Sequence, residues 1–267
     1  MTDVDHVPAR LVRVRAVQLH AAALDVDAAV SDVVAAIAAS RGEADLVVLP
    51  ELATTRYDIR RHLHDVAPAP GDAVFDRISL AAREAGVVAV VGFAERVGGL
   101  TFNSAAVIDS DGTLAGVARK THLFAGERRV FEPGTAIEPI RTSVGVLGVL
   151  ICFDLELPEV ARSLAVAGAE LLVVSSANMH PYTAYQEVYT RARAMENGLP
   201  LVLSNWVGKG PRFDFLGAST VVSSQGAVLA DAGLLPGQVT ATVSLAHIAT
   251  IDPDVDYLPR RRPDLYR

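Results

Sequence analysis

Short apolar runs alternate with helical stretches along the chain. Residues 10–19, RLVRVRAVQL, alternate apolar and polar positions and predict a β-strand. Residues 28–40 place apolar side chains such as Val30 and Val33 on one face of a predicted helix, and a buried strand over 46–49 follows it. This order of strand, helix and strand is typical of a βαβ unit.

A second helix and a hairpin complete the first half. The helix is predicted over 72–86, with Gly86 at its C-terminal cap. The hairpin covers 101–120 and turns at Asp111-Gly112, a pair that favours tight turns. A charged, irregular loop over 121–139 comes next.

The second half repeats this order and predicts two stacked sheets with helices outside them, an α/β fold. We expect a single domain over residues 1–267, with a core of about 10–245 and a C-terminal tail of about 246–267. The predicted elements are two strand pieces in 144–154, a helix in 157–170, a strand in 171–179, a helix in 182–198, a strand in 199–207 and a hairpin in 217–233 that turns near Gln225-Gly226.

The composition argues against a nucleic-acid-binding protein and against a membrane protein. A formal net charge of −7 disfavours a nucleic-acid partner, which would require an excess of clustered Lys and Arg. The sequence has no apolar run long enough to cross a bilayer, and its first ten residues do not resemble a signal peptide. We therefore expect a cytoplasmic protein without a membrane partner.

Three polar residues stand where predicted strands end. Glu51 follows LVVLP, Lys120 follows the hairpin, and Cys152 follows VLI. Because strand ends converge in layered α/β folds, these three side chains are candidates for one site. Cys152 is the only cysteine, so an internal disulfide and a cysteine-based metal site are both excluded.

The three residue types suit nucleophilic catalysis. A thiol is mostly protonated at neutral pH, and an ammonium about 4 Å away could lower its pKa by about three units before desolvation is counted. A buried carboxylate could take the thiol proton and return it to a leaving amine. Without this context, a lone cysteine in an apolar strand is more often structural, and Glu51 or Lys120 alone could be a helix cap or a solvated charge.

The motifs around these residues resemble those of the nitrilase superfamily of carbon–nitrogen hydrolases. The resemblance covers residues 10–245 and includes all three signatures in order. The matching strings are LVVLPEL, RKTHLF, GERRVFEPG, ICFDLELPE, RARAMENGLPLV and GASTVVSSQGAVLADAG.

The resemblance implies a four-layer α-β-β-α sandwich and a homodimer or larger homo-oligomer. It implies that Glu51 is the general base and acid, that Lys120 stabilises the tetrahedral intermediate, and that Cys152 is the nucleophile. It further implies that Glu127 orients the substrate or water and that the Phe153 N–H is an oxyanion donor.

Within the superfamily, the residues after Cys152 most resemble those of the aliphatic amidases that act on small carboxamides, including the stereoselective ones. The Cys-x-Glu with adjacent Trp of nitrilases is absent, and Leu155, Glu156 and Leu157 stand where N-carbamoyl amino acid hydrolases often have basic residues. The alternatives that stay open are N-carbamoyl amide or nitrile hydrolysis, acyl transfer to an amine, and a non-catalytic ligand-binding member.

The remaining candidates rest on neighbouring motifs only. Tyr57, Asn178 and Met179 are predicted to line the pocket, although ordinary packing would explain each of them. Arg56 stands where many relatives have a glycine, so the loop beside Glu51 is expected to differ in shape.

The sequence predicts no metal or cofactor site. His62 and His64 form a close pair without a third ligand at metal spacing. Gly145-x-x-Gly148 lacks the third glycine of a dinucleotide fingerprint, and GASTV lacks the last glycine of a serine nucleophile elbow.

Overall fold

The computed structural model describes residues 10–22, 25–57, 63–69, 71–246, 248 and 251–266. The strands are β1 (Leu11–Gln18), β2 (Leu46–Val48), β3 (Val88–Val97), β4 (Leu100–Ile108), β5 (Leu114–Arg119), β6 (Ile140–Thr142), β7 (Gly145–Ile151), β8 (Leu171–Ser175), β9 (Leu201–Ser204), β10 (Val207–Lys209), β11 (Asp214–Leu216), β12 (Thr220–Val222), β13 (Val228–Asp231) and β14 (Gly237–Ser244). The α-helices are α1 (Val26–Ala38), α2 (Leu63–Val66), α3 (Ala73–Ala85), α4 (Pro158–Val166) and α5 (Thr183–Asn197).

Two six-stranded sheets form the centre of the molecule. The first has the order β14-β1-β2-β3-β4-β5, and the second has the order β13-β12-β9-β8-β7-β6. Alternating side chains explain the layers, because successive residues of a strand face opposite sides of its sheet. In β2, Leu46 and Val48 belong to the core between the sheets, whereas Val47 packs in the core beneath the helices.

Helices cover the outer face of each sheet. Val33 of α1 and Ile78 of α3 belong to the core outside the first sheet, and Leu164 of α4 and Ala194 of α5 belong to the core outside the second. The architecture is therefore the α-β-β-α sandwich that the resemblance implies. No described helix combines the length and hydrophobicity needed to cross a membrane.

The predicted turns are confirmed at their glycines. Gly86 ends α3 with φ +67° and Gly112 turns the β4–β5 hairpin with φ +85°, a region that favours glycine. Gly226 has φ +77° in the turn between β12 and β13.

Two features differ from the prediction. Residues 144–154 contain one strand, β7, because the chain leaves the sheet after Ile151 and enters a 3-10 helix over Cys152–Glu156. In addition, β14 returns to the first sheet and pairs antiparallel with β1. The similarity of the two halves of the sequence does not predict the pairing of β14 with β1, because that pairing joins residues near the two ends of the chain.

Candidate active site

Side chains from two sheets meet beyond the ends of β2, β5 and β7. The Lys120 ammonium is fully buried, with its Nζ 2.7 Å from Glu51 Oε1 and 3.0 Å from the Glu127 carboxylate. Backbone bonds hold Lys120 at both sides, since its N–H donates to the Asn103 carbonyl and its own carbonyl accepts from Gly134. The strand ends thus converge as the sequence predicted.

Glu51 is held firmly at one carboxylate oxygen. Asn103 Nδ2 donates to Oε1 at 2.6 Å, beside the bond from Lys120, and Trp206 Nε1 donates to the Glu51 carbonyl at 2.8 Å. Among the described residues, the buried Oε2 has no hydrogen-bond partner. A buried acceptor without a partner is costly, and functional sites are where such atoms are expected.

Glu51 and Lys120 each influence the pKa of the other. Burial raises the pKa of Glu51, as does the charge of Glu127, although Lys120 opposes both. Burial alone would lower the pKa of Lys120, but Glu51 and Glu127 outweigh it and raise that pKa well above its ordinary value. Lys120 therefore stays an ammonium, and Glu51 is a stronger base than an exposed glutamate.

Glu127 links this cluster to two further elements. Its Oε2 accepts from the Phe124 backbone N–H at 2.7 Å, and its Oε1 accepts from the Tyr57 hydroxyl at 2.8 Å. Burial, followed by the charge of Glu127, raises the pKa of Tyr57 well above its ordinary value. The hydroxyl therefore remains a donor that fixes the Glu127 carboxylate in place.

Cys152 begins the 3-10 helix in a left-handed conformation. Its φ of +46° is sterically costly for a residue with a Cβ, and functional sites are where such strain concentrates. Desolvation raises the pKa of the Cys152 thiol, and the charge of Glu51 raises it further. Lys120 and the Ala177 N–H only partly offset this rise. Lys120 lowers the thiol pKa, as the sequence predicts for a nearby ammonium, but desolvation and Glu51 together outweigh it.

Asp154 joins the loops that carry Lys120 and Cys152. Its buried Oδ1 accepts from Thr121 Oγ1 at 2.8 Å and from the His122 N–H at 2.9 Å. Its Oδ2 accepts from the Ile151 N–H at 3.2 Å. One carboxylate thus binds the residues that follow Lys120 and the residue that precedes Cys152.

The chain is similar to known proteins over most of its length. The sequence model of the family described as carbon-nitrogen hydrolase matches residues 13–252. The chain belongs to this family. It is 36% identical over 228 residues to an (R)-stereoselective amidase of Pseudomonas sp.. The aligned region covers 85% of this chain and 83% of that protein.

Solved structures of carbon–nitrogen hydrolases share the fold. The crystal structure of a carbon-nitrogen hydrolase from Helicobacter pylori G27 superposes with a TM-score of 0.87 at 30% identity, over 96% of this chain and 97% of that one. The structure of a mutant amidase from Nesterenkonia sp. AN1 superposes with a TM-score of 0.84 at 29% identity, over 96% of this chain and 95% of that one. That structure holds the acetamide moiety of fluoroacetamide on its active-site cysteine. The present chain is an amidase-type hydrolase of the nitrilase superfamily.

The structure brings several of the predicted residues of this hydrolase together. Glu51, Lys120 and Glu127 form one hydrogen-bonded cluster that interacts electrostatically with Cys152. Phe153 follows Cys152 in the 3-10 helix, and its ring packs against Phe124 with centroids 5.4 Å apart. That the Phe153 N–H is an oxyanion donor stays a prediction.

Three predicted pocket residues have other contacts. Tyr57 bonds Glu127, so it supports the cluster. Asn178 binds local backbone, accepting from the Met179 N–H at 2.9 Å, and no described contact joins it to the cluster. Met179 is buried in the core with Tyr57 and Phe215. In the same segment, the contact to Cys152 comes from the Ala177 N–H.

Sequence reasoning missed several supporting residues of the hydrolase. Asn103 donates to Glu51 from within the buried strand β4. A polar side chain in an otherwise apolar strand is the sequence feature that could have indicated a functional residue there. Asp154 lies in the ICFD motif, but its role as an acceptor for two loops depends on the folded chain. No group of three or more His, Cys, Asp or Glu within the described ranges could hold a metal ion.

Proposed function

We propose that this hydrolase cleaves the C–N bond of a small linear carboxamide, giving a carboxylic acid and ammonia through a thioester on Cys152. The observation that best supports the proposal is the hydrogen bonding of the two Glu51 carboxylate oxygens. One of its oxygens is fixed by Lys120 and Asn103, and the other has no hydrogen-bond partner among the described residues. The acetamide moiety on the cysteine of the Nesterenkonia amidase supports the same chemistry.

The first half-reaction forms the thioester. The Cys152 thiol gives its proton to Glu51 as the sulfur attacks the amide carbon, so no resting thiolate is needed. Lys120 Nζ and the Phe153 N–H stabilise the negative oxygen of the tetrahedral intermediate. When the C–N bond breaks, Glu51 returns the proton to nitrogen and ammonia leaves.

The second half-reaction restores the thiol. Glu51 takes a proton from water while the water oxygen attacks the thioester carbon. The C–S bond then breaks, the acid leaves, and Glu51 returns the proton to sulfur. Glu127 keeps the Lys120 ammonium in place through both half-reactions, because it contacts that group directly.

The test compares wild type with Cys152→Ala on a panel of amides, nitriles and N-carbamoyl amino acids. We expect wild type to release ammonia from short amides and to show a transient mass increase equal to the acyl group. Cys152→Ala should show neither. Ammonia release by Cys152→Ala at the wild-type rate would overturn the proposal, as would turnover confined to nitriles or carbamoyl compounds. Hydroxylamine added during turnover would reveal acyl transfer as a hydroxamate.

We also propose that the hydrolase forms a homo-oligomer through the outer face of α4 and α5. Exposed apolar side chains on this face support it: Val166 is 55% exposed, Val188 60% and Met195 48%. Val188→Lys should lower the molar mass measured by light scattering. Leu80→Lys, at an exposed apolar position on α3, is the matched control and should leave the mass unchanged.

A further inference from the structure

An arginine is buried in the loop that follows Glu51. Arg56 is 6% exposed, and its φ of +61° lies in the left-handed region that favours glycine. A residue with a Cβ adopts that conformation only at a steric cost, and such strain is concentrated at functional sites. Every residue from Glu51 to Tyr57 is buried, so the Arg56 side chain must find its partners inside the protein.

The Arg56 guanidinium contacts three other parts of the chain. Its Nη2 donates to Asp32 Oδ2 on α1 at 2.7 Å, and its Nη1 donates to the His20 carbonyl after β1 at 3.5 Å. Its Cζ lies 5.4 Å from the centre of the Trp206 ring, within the range of a cation–π contact. Within the described ranges, its buried Nε has no hydrogen-bond partner. Asp32 and Trp206 are therefore the contacts that hold the guanidinium most closely.

Trp206 connects Arg56 to the backbone of Glu51. The indole is 1% exposed, and its Nε1 donates to the Glu51 carbonyl at 2.8 Å. One side chain thus contacts both the Arg56 guanidinium and the residue whose carboxylate bonds Lys120. Because a hydrogen bond weakens when its angle changes, an indole that can tilt would let the Glu51 backbone move.

We propose that Arg56 is a positioning residue: anchored by Asp32, it holds the Trp206 indole and, through the indole, fixes the Glu51 backbone for the reaction. Arg56 does not touch the substrate and transfers no proton. The inference rests on the proposed role of Glu51 in amide hydrolysis, and it links a half-exposed carboxylate on α1 to the rate. Without Asp32, the buried guanidinium loses its carboxylate partner and is drawn towards water, away from the indole.

The kinetic test compares Asp32→Asn with Asp27→Asn. Asp32 is exposed on α1, so its replacement removes the anchor of Arg56 without changing the core. We expect kcat to fall about tenfold, because a misplacement of about 1 Å can cost about a hundredfold and a loosened Glu51 moves by less. KM should stay nearly constant, since Arg56 makes no contact with the substrate. Asp27→Asn removes an exposed carboxylate from the same helix and should keep the wild-type kcat.

Two replacements of Arg56 test the side chain itself. Arg56→Gly suits the left-handed backbone, so a fall in kcat there comes from the lost side chain and not from strain. Arg56→Lys keeps the charge but has no planar group to stack on the indole, so its fall should be smaller than that of Arg56→Gly. Trp206 is the only tryptophan, and its fluorescence reports on the contact directly. The emission should change in Arg56→Gly and Asp32→Asn and stay constant in Asp27→Asn.

Alkylation of Cys152 separates this inference from the proposed hydrolysis, because it needs no turnover. The charge of Glu51 raises the pKa of Cys152. A loosened Glu51 lies on average further from the thiol, so the pH profile of reaction with iodoacetamide should shift to lower pH in Asp32→Asn and Arg56→Gly. If no amide releases ammonia but this profile and the Trp206 emission change together, the hydrolysis fails and the positioning role stands.

Three results would overturn the positioning role of Arg56. The first is unchanged Trp206 emission in both Asp32→Asn and Arg56→Gly, which would mean that the guanidinium does not hold the indole. The second is a changed emission with a wild-type alkylation profile, which would mean that the indole moves without Glu51. The third is amide hydrolysis at the wild-type kcat by both variants, in which case the positioning role fails alone.

Discussion

At the residue scale, the chemistry of Cys152 depends on which neighbour controls its proton. Burial and the charge of Glu51 both raise the pKa of Cys152, and Lys120 lowers it by less. The raised pKa favours a neutral thiol at neutral pH, and in the proposed mechanism Glu51 therefore takes the proton as sulfur attacks. In the same proposed mechanism, Lys120 stabilises the charge that develops on the substrate oxygen.

The opposing effects of Glu51 and Lys120 can be separated by alkylation. Glu51→Gln removes a negative charge that raises the pKa of Cys152, so the pH profile of reaction with iodoacetamide should shift to lower pH. Lys120→Met should shift it to higher pH. Glu51→Gln should thus lose amide hydrolysis while its thiol ionises more easily. A profile that moves to higher pH in Glu51→Gln would show that the carboxylate does not raise the thiol pKa, and Glu159→Gln serves as control.

A second residue-scale prediction concerns Asp154. The Asp154 carboxylate accepts from Thr121 through one oxygen and from the Ile151 N–H through the other. Asp154→Asn keeps only one acceptor oxygen, so the loops after Lys120 and before Cys152 should separate. We expect kcat/KM to fall about a hundredfold, the loss that a misplacement of about 1 Å can cause. The fall should lie mainly in kcat, and the alkylation profile of Cys152 should shift.

Thr121→Val provides the matched control for Asp154→Asn. It removes one of the hydrogen bonds to the carboxylate and leaves the bond to the Ile151 N–H, so its loss of activity should be smaller. Circular dichroism checks that both variants fold. A folded Asp154→Asn with wild-type kcat would contradict the positioning role.

At the element scale, the site depends on how closely the loop after β2 crosses β3. A Cβ on Gly92 would lie 2.7 Å from the Glu51 Cα and 2.6 Å from the Leu52 N, so any side chain there must displace the loop. Gly92→Ala should lower kcat/KM about tenfold or more by moving Glu51 away from Lys120 and Cys152.

Gly86→Ala is the contrasting variant for Gly92→Ala. Gly86 has φ +67° at the end of α3, and a Cβ there would meet no atom within 4 Å. We expect it to lower the free energy of unfolding by about 1 kcal/mol without changing kcat/KM. Urea unfolding and initial rates measure the two effects. Equal losses of activity in both variants would show that the Gly92 effect is a general loss of stability.

The elements that the sequence predicts well are those whose cause is local. The spacing of apolar residues defines α3 and its glycine cap, and the turn at Gly112 follows from the residues that form it. The sequence pattern continues the strand beyond Ile151 because Ile151 and Cys152 are both apolar, whereas β7 ends at Ile151. The hydrogen bond from the Ile151 N–H to Asp154 marks the point where the chain leaves the sheet. The motifs predicted Glu51, Lys120 and Cys152, whereas Asn103 required the pairing of distant strands.

At the scale of the whole molecule, the site lies where the two sheets are bonded to each other. Ser175 Oγ of the second sheet donates to the Leu49 carbonyl of the first at 2.9 Å, and the Glu51 N–H donates to the Ser176 carbonyl at 3.2 Å. Packing the sheets together removes Glu51 and Lys120 from water, and burying charged groups opposes folding even when they are paired. The active site is therefore expected to lower the stability of the fold.

This cost should vary with pH through Glu51. Burial raises the pKa of Glu51 above its value in the unfolded chain, so its contribution to stability is complete below the unfolded pKa and is lost as pH rises through the folded pKa. Glu51→Gln does not titrate. The free energy of unfolding of Glu51→Gln relative to wild type should therefore increase between about pH 5 and about pH 8. Urea unfolding at both pH values measures it, with Glu159→Gln as an exposed control whose difference should stay nearly constant. A relative stability that falls with rising pH would mean that the ion pair with Lys120 outweighs the desolvation of Glu51.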